Sequence, residues 1–467
     1  MKELSPWAKR FVDLDNKTIE TRTEFSPDPV VLPRSMSAGT AAETLRGTLE
    51  SVFVATPPCM RVIRQIVDVA VAYSRANFPE VDTRAFMSRL YNFDGSVQPA
   101  PRPAICLTGL AGCGKSALLK ALMRLLPDAQ CDVHPGQPLP LRSFLYLAVR
   151  AHDTEAAIFN SLRESSARWG DPAHTADGSP WSVAVRRKRV GSVSGDMPVA
   201  QRGVFRDGVS AMLLDELQFL AQSGATTRIT KTVLLHTYLG PPLVYSANYD
   251  MVHGLAKRAQ QYRDRLLSKP LIMLPDCLEC PEELAGWIKY LKEILRVANG
   301  ALAFDPEKDA ELLHRYSFAL RRKLLHLFEI AYRRARESGR TCADPGDLDW
   351  AYRSSHYQMH RADVEELTGI EVGAATQRKD LVCPYEIEPS TKVARQRFYQ
   401  ATLMENVARQ VVVASFSPAE AKAYATAGGA VSKADAASSR RSNGPRVKKP
   451  VSAQSLSEGR HRFRNGS

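Results

Sequence analysis

Two hydrophobic periodicities divide the chain. Between residues 104 and 274, short runs of almost continuously apolar residues alternate with stretches in which apolar residues recur every three or four positions. The short runs predict strands, and their unbroken apolarity is typical of a sheet that helices cover on both faces. The five predicted strands are residues 104–108, 143–149, 210–215, 243–248 and 271–274. Strands that alternate with helices indicate a parallel, doubly wound sheet.

The segments on either side of this region have helical periodicity alone. Residues 41–54 and 60–78 predict two helices before the first strand, and residues 281–361 are helical in pattern throughout. We therefore expect an N-terminal helical extension, an α/β core, a small all-α domain, a second helical extension and a tail. Their expected bounds are 1–100, 101–278, 279–370, 371–417 and 418–467.

The tail carries much of the positive charge. Residues 418–467 hold ten Lys/Arg and three Asp/Glu, more than half of the formal net charge of +13. Because the tail has few large apolar residues, we expect it to be disordered. It could contact DNA, dock on a protein partner or keep the protein soluble, and the sequence favours none of the three. A basic balance favours polyanionic partners, with nucleic acid first.

Cysteine usage and hydropathy bear on the compartment. The eight cysteines are scattered, and only Cys277 and Cys280 form a close pair, which is typical of reduced thiols in a cytoplasm. Because that lone pair has no second pair to complete a zinc site, we expect it to form a turn that initiates a helix. No run of about 18 apolar residues exists, so we expect no membrane-spanning helix.

A glycine-rich motif lies between the first predicted strand and a predicted helix at 117–126. Residues 109–116 read Gly-Leu-Ala-Gly-Cys-Gly-Lys-Ser, the pattern of a phosphate-binding loop. Its glycines let successive backbone N–H groups face one anion, and the helix N-terminus adds a positive dipole end. Lys115 is expected to reach the β- and γ-phosphates of ATP, and Ser116 to ligate Mg²⁺. The expected nucleotide-binding residues are Gly109, Leu110, Ala111, Gly112, Cys113, Gly114, Lys115, Ser116 and Ala117.

Adjacent carboxylates end the third predicted strand. Asp215 is expected to hold the Mg²⁺ shell, and Glu216 to orient and polarise an attacking water. An apolar run that ends in Asp-Glu also occurs where a strand meets solvent. Its place about a hundred residues after the phosphate loop favours the catalytic interpretation, so we expect the chain to hydrolyse ATP.

Polar residues after the next strand supply further candidates. Asn248 ends the fourth predicted strand and could sense the γ-phosphate or cap the following helix, and its place in the order favours sensing. Arg258, Arg263 and Arg265 follow, and any of them could act on the nucleotide of a neighbouring subunit. We favour Arg263 and Arg265 because they end a predicted helix near the expected subunit face.

This order of phosphate loop, Asp-Glu strand, strand-end Asn, arginine and helical region resembles the AAA+ ATPases. It is most similar to the transposition regulators of the TnsC, TniB and MuB-like branch, through residues 107–116, 214–220, Arg265 and 347–352. The resemblance covers roughly residues 30–370. It implies an AAA+ P-loop NTPase with a parallel five-stranded sheet flanked by helices and followed by a small all-α lid. It also implies that Arg321, in the place of the family's lid signature, contacts the nucleotide.

By the same resemblance, the protein assembles with ATP on double-stranded DNA as a ring or helical homo-oligomer in the bacterial cytoplasm. It then presents that DNA to a transposase, and hydrolysis disassembles it. Candidates for sequence-independent contacts to the DNA backbone are residues 186–189 in the long polar segment 170–208, together with Arg228 and Lys231. Two alternatives are a replication initiator or helicase loader of the AAA+ class and a nucleotide-gated signalling NTPase.

Overall fold

A parallel five-stranded sheet lies at the centre of the computed structural model, which describes residues 4–79, 82–93, 102–134, 137–150, 153, 157–158, 193–221 and 226–415. The strands are β1 (Ile105–Gly109), β2 (Ala129–His134), β3 (Gln137–Leu141), β4 (Phe144–Ala148), β5 (Ala211–Asp215), β6 (Leu243–Ala247) and β7 (Lys269–Met273). The sheet has the order β4-β5-β6-β1-β7, and all its pairings are parallel. The five predicted strands are thus confirmed to within two residues at each end. β2 and β3 form a separate antiparallel hairpin that the sequence pattern did not predict.

Helices cover the sheet and continue after it. Before β1 lie α1 (Pro6–Lys9), α2 (Asn16–Thr23), α3 (Ala38–Leu49), α4 (Pro57–Asn77) and α5 (Thr83–Tyr91). Among the strands lie α6 (Lys115–Leu125), α7 (Val193–Arg206), α8 (Thr226–Thr237), α9 (Tyr249–Ala256) and α10 (Gln260–Leu266). After β7 come α11 (Pro281–Ala298), α12 (Ala310–Ser317), α13 (Arg321–Glu337), α14 (Pro345–Arg353), α15 (Gln358–Glu371) and α16 (Pro389–Ser415). The predicted fold class, a parallel five-stranded sheet flanked by helices and followed by a helical region, is confirmed.

The strand order decides which residues can meet at the edge of the sheet. β6 lies between β1, which leads into the phosphate loop, and β5, which ends at Asp215. All residues of β1, β5 and β6 are buried, as expected when helices cover both faces. The carboxyl ends of parallel strands share one edge, where ligands of such sheets bind. The phosphate loop and the Asp215 carboxylate therefore lie at the same edge, one strand apart.

The helical region after the sheet, here called the lid, comprises α11 to α15, and its core also takes in a helix from the N-terminal segment. Ala41, Leu45 and Leu49 of α3 are buried in the same hydrophobic cluster as Leu324 and Phe328 of α13. Helix α3 repeats an apolar residue every three or four positions, so it presents one continuous stripe to α13. The segment expected as an N-terminal extension thus contributes to the lid core.

A cluster of aromatic residues packs near the β2–β3 hairpin. The rings of Trp7, Phe78, Phe86 and Phe205 contact one another, with centroids 4.2–6.2 Å apart. Phe205 belongs to α7, which occupies part of the segment expected to be polar and rich in turns, so that expectation is wrong for residues 193–206. The basic residues 186–189 and the expected tail 418–467 lie outside the described residues.

The C-terminal helix α16 begins within the expected extension 371–417. The chain divides into two compact units between residues 398 and 399, and the described part of the second consists of residues 399–415 of α16. Cys280 is the N-cap residue of α11, so the Cys277–Cys280 pair forms the predicted turn that initiates a helix. Within the described residues, no helix combines the length and apolarity needed to cross a membrane.

Candidate nucleotide-binding site

The phosphate loop joins β1 to α6 and requires glycine at several positions. Gly112 and Gly114 have φ angles of +83° and +105°, a left-handed backbone that other residues rarely adopt. A Cβ atom on Gly109 would lie 2.5 Å from the carbonyl oxygen of Met273 in β7. Gly114 is the N-cap residue of α6, so the loop ends where the free N–H groups of the helix begin. This backbone forms a concave surface suited to an anion.

Lys115 is the first residue of α6, and its side chain folds over the loop. Its ammonium donates hydrogen bonds to the carbonyl oxygens of Gly109, at 2.8 Å, and Leu110, at 3.0 Å. The side chain is buried, with 8% of the residue exposed. Because those acceptors are backbone oxygens of the loop itself, the positive charge is held within the concave surface that would receive phosphate.

The loop meets the end of β5 through two side chains. The hydroxyl of Ser116 lies 3.5 Å from Oε1 of Glu216, although 100 residues separate them in sequence. Hydroxyl and carboxylate oxygens are the ligands that Mg²⁺ takes at phosphate-binding sites. The structure therefore brings together Ser116, Asp215 and Glu216, the residues from which the sequence predicted a metal site and a catalytic carboxylate.

Asp215 is oriented by donors from three directions. Its Oδ2 accepts a hydrogen bond from the Tyr146 hydroxyl of β4 at 3.0 Å, and its Oδ1 accepts from the Glu216 N–H at 2.9 Å and from the Ser246 hydroxyl of β6. Only 1% of Asp215 is exposed. Burial raises the pKa of Tyr146, and the charge of Asp215 raises it further, so the phenol stays a donor. Tyr146 and Ser246 flank Asp215 on the two adjacent strands, and no sequence motif marks either of them.

Glu216 adopts a strained backbone. Its φ angle of +60° is unusual for a residue with a side chain and costs roughly 1–3 kcal/mol. The Gln218 amide donates a hydrogen bond to Oε2 of Glu216, which leaves Oε1 toward Ser116. Such strain persists where surrounding contacts hold the residue in place. Here the strained backbone directs the carboxylate to the phosphate loop.

The lid contacts the phosphate loop through the first two residues of α13. The Arg322 N–H donates to the Gly112 carbonyl oxygen at 3.4 Å, and a Cβ atom on Gly112 would lie 2.9 Å from the Arg322 Cβ. Nη1 of Arg321 is 3.4 Å from the position of a Cβ on Gly114 and has no hydrogen-bond partner in the described structure. Arg322, which no sequence motif marks, is exposed beside the loop. Both arginines therefore pack against the phosphate loop.

Arg321 is also held by residues from the N-terminal segment. Its Nη2 donates to the Val54 carbonyl oxygen at 3.2 Å, and its guanidinium lies between the rings of Phe53 and Tyr290, at 5.5 and 5.1 Å. Asp276, in the segment after β7, is a further neighbour. Burial raises the pKa of Asp276 to about 6, against the opposing influence of Arg321. The arginine is thus fixed by contacts from three parts of the chain, with one nitrogen directed at the loop.

The turn before α13 has an unusual backbone. Phe318 and Ala319 both have left-handed φ angles, of +56° and +52°. Glycine adopts this conformation freely, but residues with a side chain do so at a cost of roughly 1–2 kcal/mol per residue. The turn therefore directs Arg321 toward the loop without glycine.

The other predicted site residues have different surroundings. Asn248 occupies the N-cap position of α9 at the end of β6, but its side chain makes no capping hydrogen bond, and its sensing role stays a prediction. Arg258 donates to the Thr227 hydroxyl at 3.1 Å. Arg263 and Arg265 are exposed on α10 and have no side-chain hydrogen bond or ion pair with any residue that the structure describes. Their exposure is what a contact to a neighbouring subunit requires.

These features fit a nucleoside triphosphate with Mg²⁺. The loop supplies a glycine-lined anion site whose Cβ positions are occupied by neighbours, and an unpaired buried nitrogen of Arg321 lies beside Gly114. Ser116, Asp215 and Glu216 supply the hard oxygen donors that Mg²⁺ prefers. Lys115, Arg321 and Arg322 balance the negative charge that these groups and a triphosphate would bring together.

Comparisons with known proteins add little. No protein-family model and no curated protein matches the chain. Similar solved structures include the Aeropyrum pernix ORC1 protein in complex with DNA, at 18% identity, 65% of this chain, 72% of the other chain and a TM-score of 0.33. The Aeropyrum pernix ORC2 protein in its ADP form is 11% identical over 68% of this chain and 83% of the other, with a TM-score of 0.36. Cdc6p from Pyrobaculum aerophilum is 14% identical over 69% of this chain and 79% of the other, with a TM-score of 0.35. At these TM-scores the likenesses decide nothing, so the functional assignment depends on the site itself.

Proposed function

We propose that the protein is a magnesium-dependent ATPase of the AAA+ type that acts on DNA. The observation that supports this most directly is the approach of Ser116 to Glu216 across 3.5 Å, between a phosphate-binding loop and the end of a non-adjacent strand. ATP would supply the phosphoanhydride bond, and Mg²⁺ would neutralise its charge. The residues of the chain bind, orient and neutralise those groups.

Each site residue has a proposed role. The loop backbone from Gly109 to Ala117 holds the phosphates, and Lys115 moves from its backbone acceptors to phosphate oxygens. Ser116 and Asp215 hold Mg²⁺, and Glu216 accepts a proton from the attacking water. Arg321, which belongs to the lid, contacts the phosphates. Asn248 senses them from β6, and Arg263 or Arg265 reaches the site of a neighbouring subunit, which makes the active form a homo-oligomer.

DNA is proposed as the macromolecular partner because of the basic charge and the family resemblance. Two finer functions share this ATPase site and differ in the protein partner: target delivery to a transposase, and replication initiation or helicase loading. The Orc and Cdc6 names of the similar structures correspond to the second function better than to the first. We propose both finer functions as candidates. The division into a core at 101–278 and a lid at 279–370 also stays a prediction.

Two variants of the full chain test the proposal. Lys115→Ala should abolish ATP binding, whereas Lys120→Ala, an exposed lysine on the same helix, should bind ATP like the wild type. Glu216→Gln should bind ATP, hydrolyse it at least about a hundredfold more slowly and remain on duplex DNA, because it lacks the proton acceptor. Fluorescent ATP binding, phosphate release and DNA anisotropy measure the three effects. Normal turnover by Glu216→Gln would show that the proposed catalytic role is wrong.

A partner assay separates the two finer functions. The protein, ATP and duplex DNA are combined with a transposase and donor ends in one reaction, and with a replicative helicase and forked DNA in the other. Stimulated insertion of the donor DNA supports transposition, and stimulated unwinding supports initiation or loading. Lys115→Ala should fail in whichever reaction responds.

A further inference from the structure

The first turns of the C-terminal helix α16, which belong to the first compact unit, carry a fully buried arginine. Arg395 is 2% exposed, whereas Lys392 and Arg397 of the same helix are exposed. The Nε and Nη2 atoms of Arg395 lie 2.9 and 2.7 Å from Oε1 of Glu371, and its Nη1 donates to the Pro275 carbonyl oxygen at 2.8 Å. A buried guanidinium is tolerated only when its charge and donors are satisfied in this way. The contact is therefore specific in geometry.

The partners of Arg395 come from three parts of the lid and its connection. Pro275 lies in the segment that links β7 to the first lid helix, here called the hinge, and Glu371 is the last residue of α15. The Arg395 guanidinium also lies 5.7 Å from the ring of Phe318, in the left-handed turn that precedes Arg321. One side chain thus joins the hinge of the lid, the end of the lid and the turn that precedes Arg321.

A second set of contacts reinforces this junction. The ring of Phe398, one turn after Arg395 on α16, lies edge-on to His314 at 5.2 Å. His314 donates from Nε2 to the carbonyl oxygen of Asp276 at 2.9 Å. Asp276 in turn lies beside Arg321. The hinge segment 275–276 is therefore held between α16 on one side and Arg321 on the other.

We propose that Arg395 is a positioning residue through which the C-terminal helix holds the lid against the phosphate loop and so sets the affinity for ATP. This inference rests on the proposed function, because it assigns a regulator to the proposed nucleotide site. Arg395 does not touch the loop; it acts through Phe318 and the hinge on Arg321 and Arg322. Loss of its contacts should let the lid move away from Gly112.

The test compares Arg395→Met with Arg397→Met in the full chain. Both variants remove one positive charge from the same helix, but Arg397 is exposed and makes no side-chain hydrogen bond or ion pair with the residues that the structure describes. Arg395→Met should raise the Kd for fluorescent ATP about tenfold, the range typical of coupling between sites. It should also speed amide hydrogen exchange in residues 318–324, measured by mass spectrometry. Arg397→Met should match the wild type in both.

Two outcomes for Arg395→Met contradict the proposal, and two further outcomes move the decision to another measurement. An Arg395→Met protein whose Kd and exchange stay within about twofold of Arg397→Met contradicts it, and so does one that only unfolds at a lower temperature. If Arg395→Met does not fold, Glu371→Gln, which retains an acceptor oxygen, decides by the same two measurements. If the wild type itself fails to bind ATP, the proposed function is wrong, and the exchange rate at 318–324 alone decides whether Arg395 holds the lid.

Discussion

The hydroxyl of Tyr146 donates a hydrogen bond to the carboxylate of Asp215 across 3.0 Å, from one strand to the next. This bond fixes the carboxylate at the carboxyl edge of the sheet, where Ser116 and Glu216 also lie. Groups that orient a metal ligand from behind commonly change metal affinity by 10–100-fold when they are removed. The consequence can be measured without altering any direct ligand.

Tyr146→Phe should weaken Mg²⁺ binding in the presence of ATP by about tenfold, because Asp215 loses an orienting donor. The Mg²⁺ concentration that half-saturates ATP hydrolysis measures this change. Tyr238→Phe, at an exposed tyrosine, provides a matched control that should leave the Mg²⁺ dependence unchanged. An equal Mg²⁺ requirement in both variants would show that Tyr146 does not orient the metal ligand.

Gly112→Ala should reduce ATP affinity at least about tenfold. The alanine would have to adopt a φ of +83°, at a cost of roughly 1–2 kcal/mol, with its Cβ only 2.9 Å from the Arg322 Cβ. Gly39→Ala in α3 is the control, because a Cβ at Gly39 meets nothing within 4 Å and alanine favours a helix. Calorimetric titration with ATP measures the difference. Unchanged affinity in Gly112→Ala would contradict the proposed contact between the lid and the phosphate loop.

Mixing two inactive variants tests whether an arginine acts between subunits. Lys115→Ala lacks a nucleotide site but keeps α10, and Arg265→Ala keeps the site but lacks one candidate arginine. If Arg265 acts in trans, each variant alone should hydrolyse ATP slowly, and an equimolar mixture should regain part of the activity because mixed interfaces are complete. The same mixture with Arg263→Ala tests the other candidate. A mixture no faster than the sum of its parts would assign neither arginine to the neighbouring site.

The folded protein should lose stability as the pH falls below about 6.5, in part through His314. Burial lowers the pKa of His314 from 6.5 to about 4. Between these values the unfolded chain binds more protons, so the contribution of His314 is complete above pH 6.5 and is lost as the pH approaches 4. At pH 5 the loss would be about 2 kcal/mol.

Urea unfolding at pH 7 and pH 5 measures this effect. Asp276 has a raised pKa of about 6 and contributes to the pH dependence of stability with the opposite sign. Because Asp276 is present in both the wild type and His314→Gln, its contribution cancels when the two proteins are compared. The free energy of unfolding should fall less between the two pH values in His314→Gln. Identical falls would exclude His314 as a source of the pH dependence.

The sequence predicted those parts of the molecule that local patterns determine. Unbroken apolar runs located all five strands of the sheet, and the loop motif located Lys115 and Ser116. The strand end at Asp215 and Glu216 was found because adjacent carboxylates after an apolar run are visible in the sequence. These features depend on residues that are near neighbours in the chain.

The missed features depend on spatial order. Tyr146 and Ser246 reach Asp215 only because β4 and β6 lie on either side of β5, and nothing in the strand sequences specifies that order. Arg322 contacts Gly112 through a lid placement that no local pattern records. Segment 193–206 belongs to the stretch 170–208 whose polar composition predicts a long loop, yet it forms a helix.

Helix α3 completes the lid core from the opposite end of the sequence. About 270 residues separate it from α13, its main packing partner, and a ribosome needs roughly 15 to 50 seconds to synthesise them. For most of that interval the apolar stripe of α3 has no lid helix to pack against, because α11, its other lid partner, is synthesised only shortly before α13. A nascent chain therefore needs either a chaperone to cover this stripe or a delay in compaction. Two chains translated side by side could instead exchange their α3 helices.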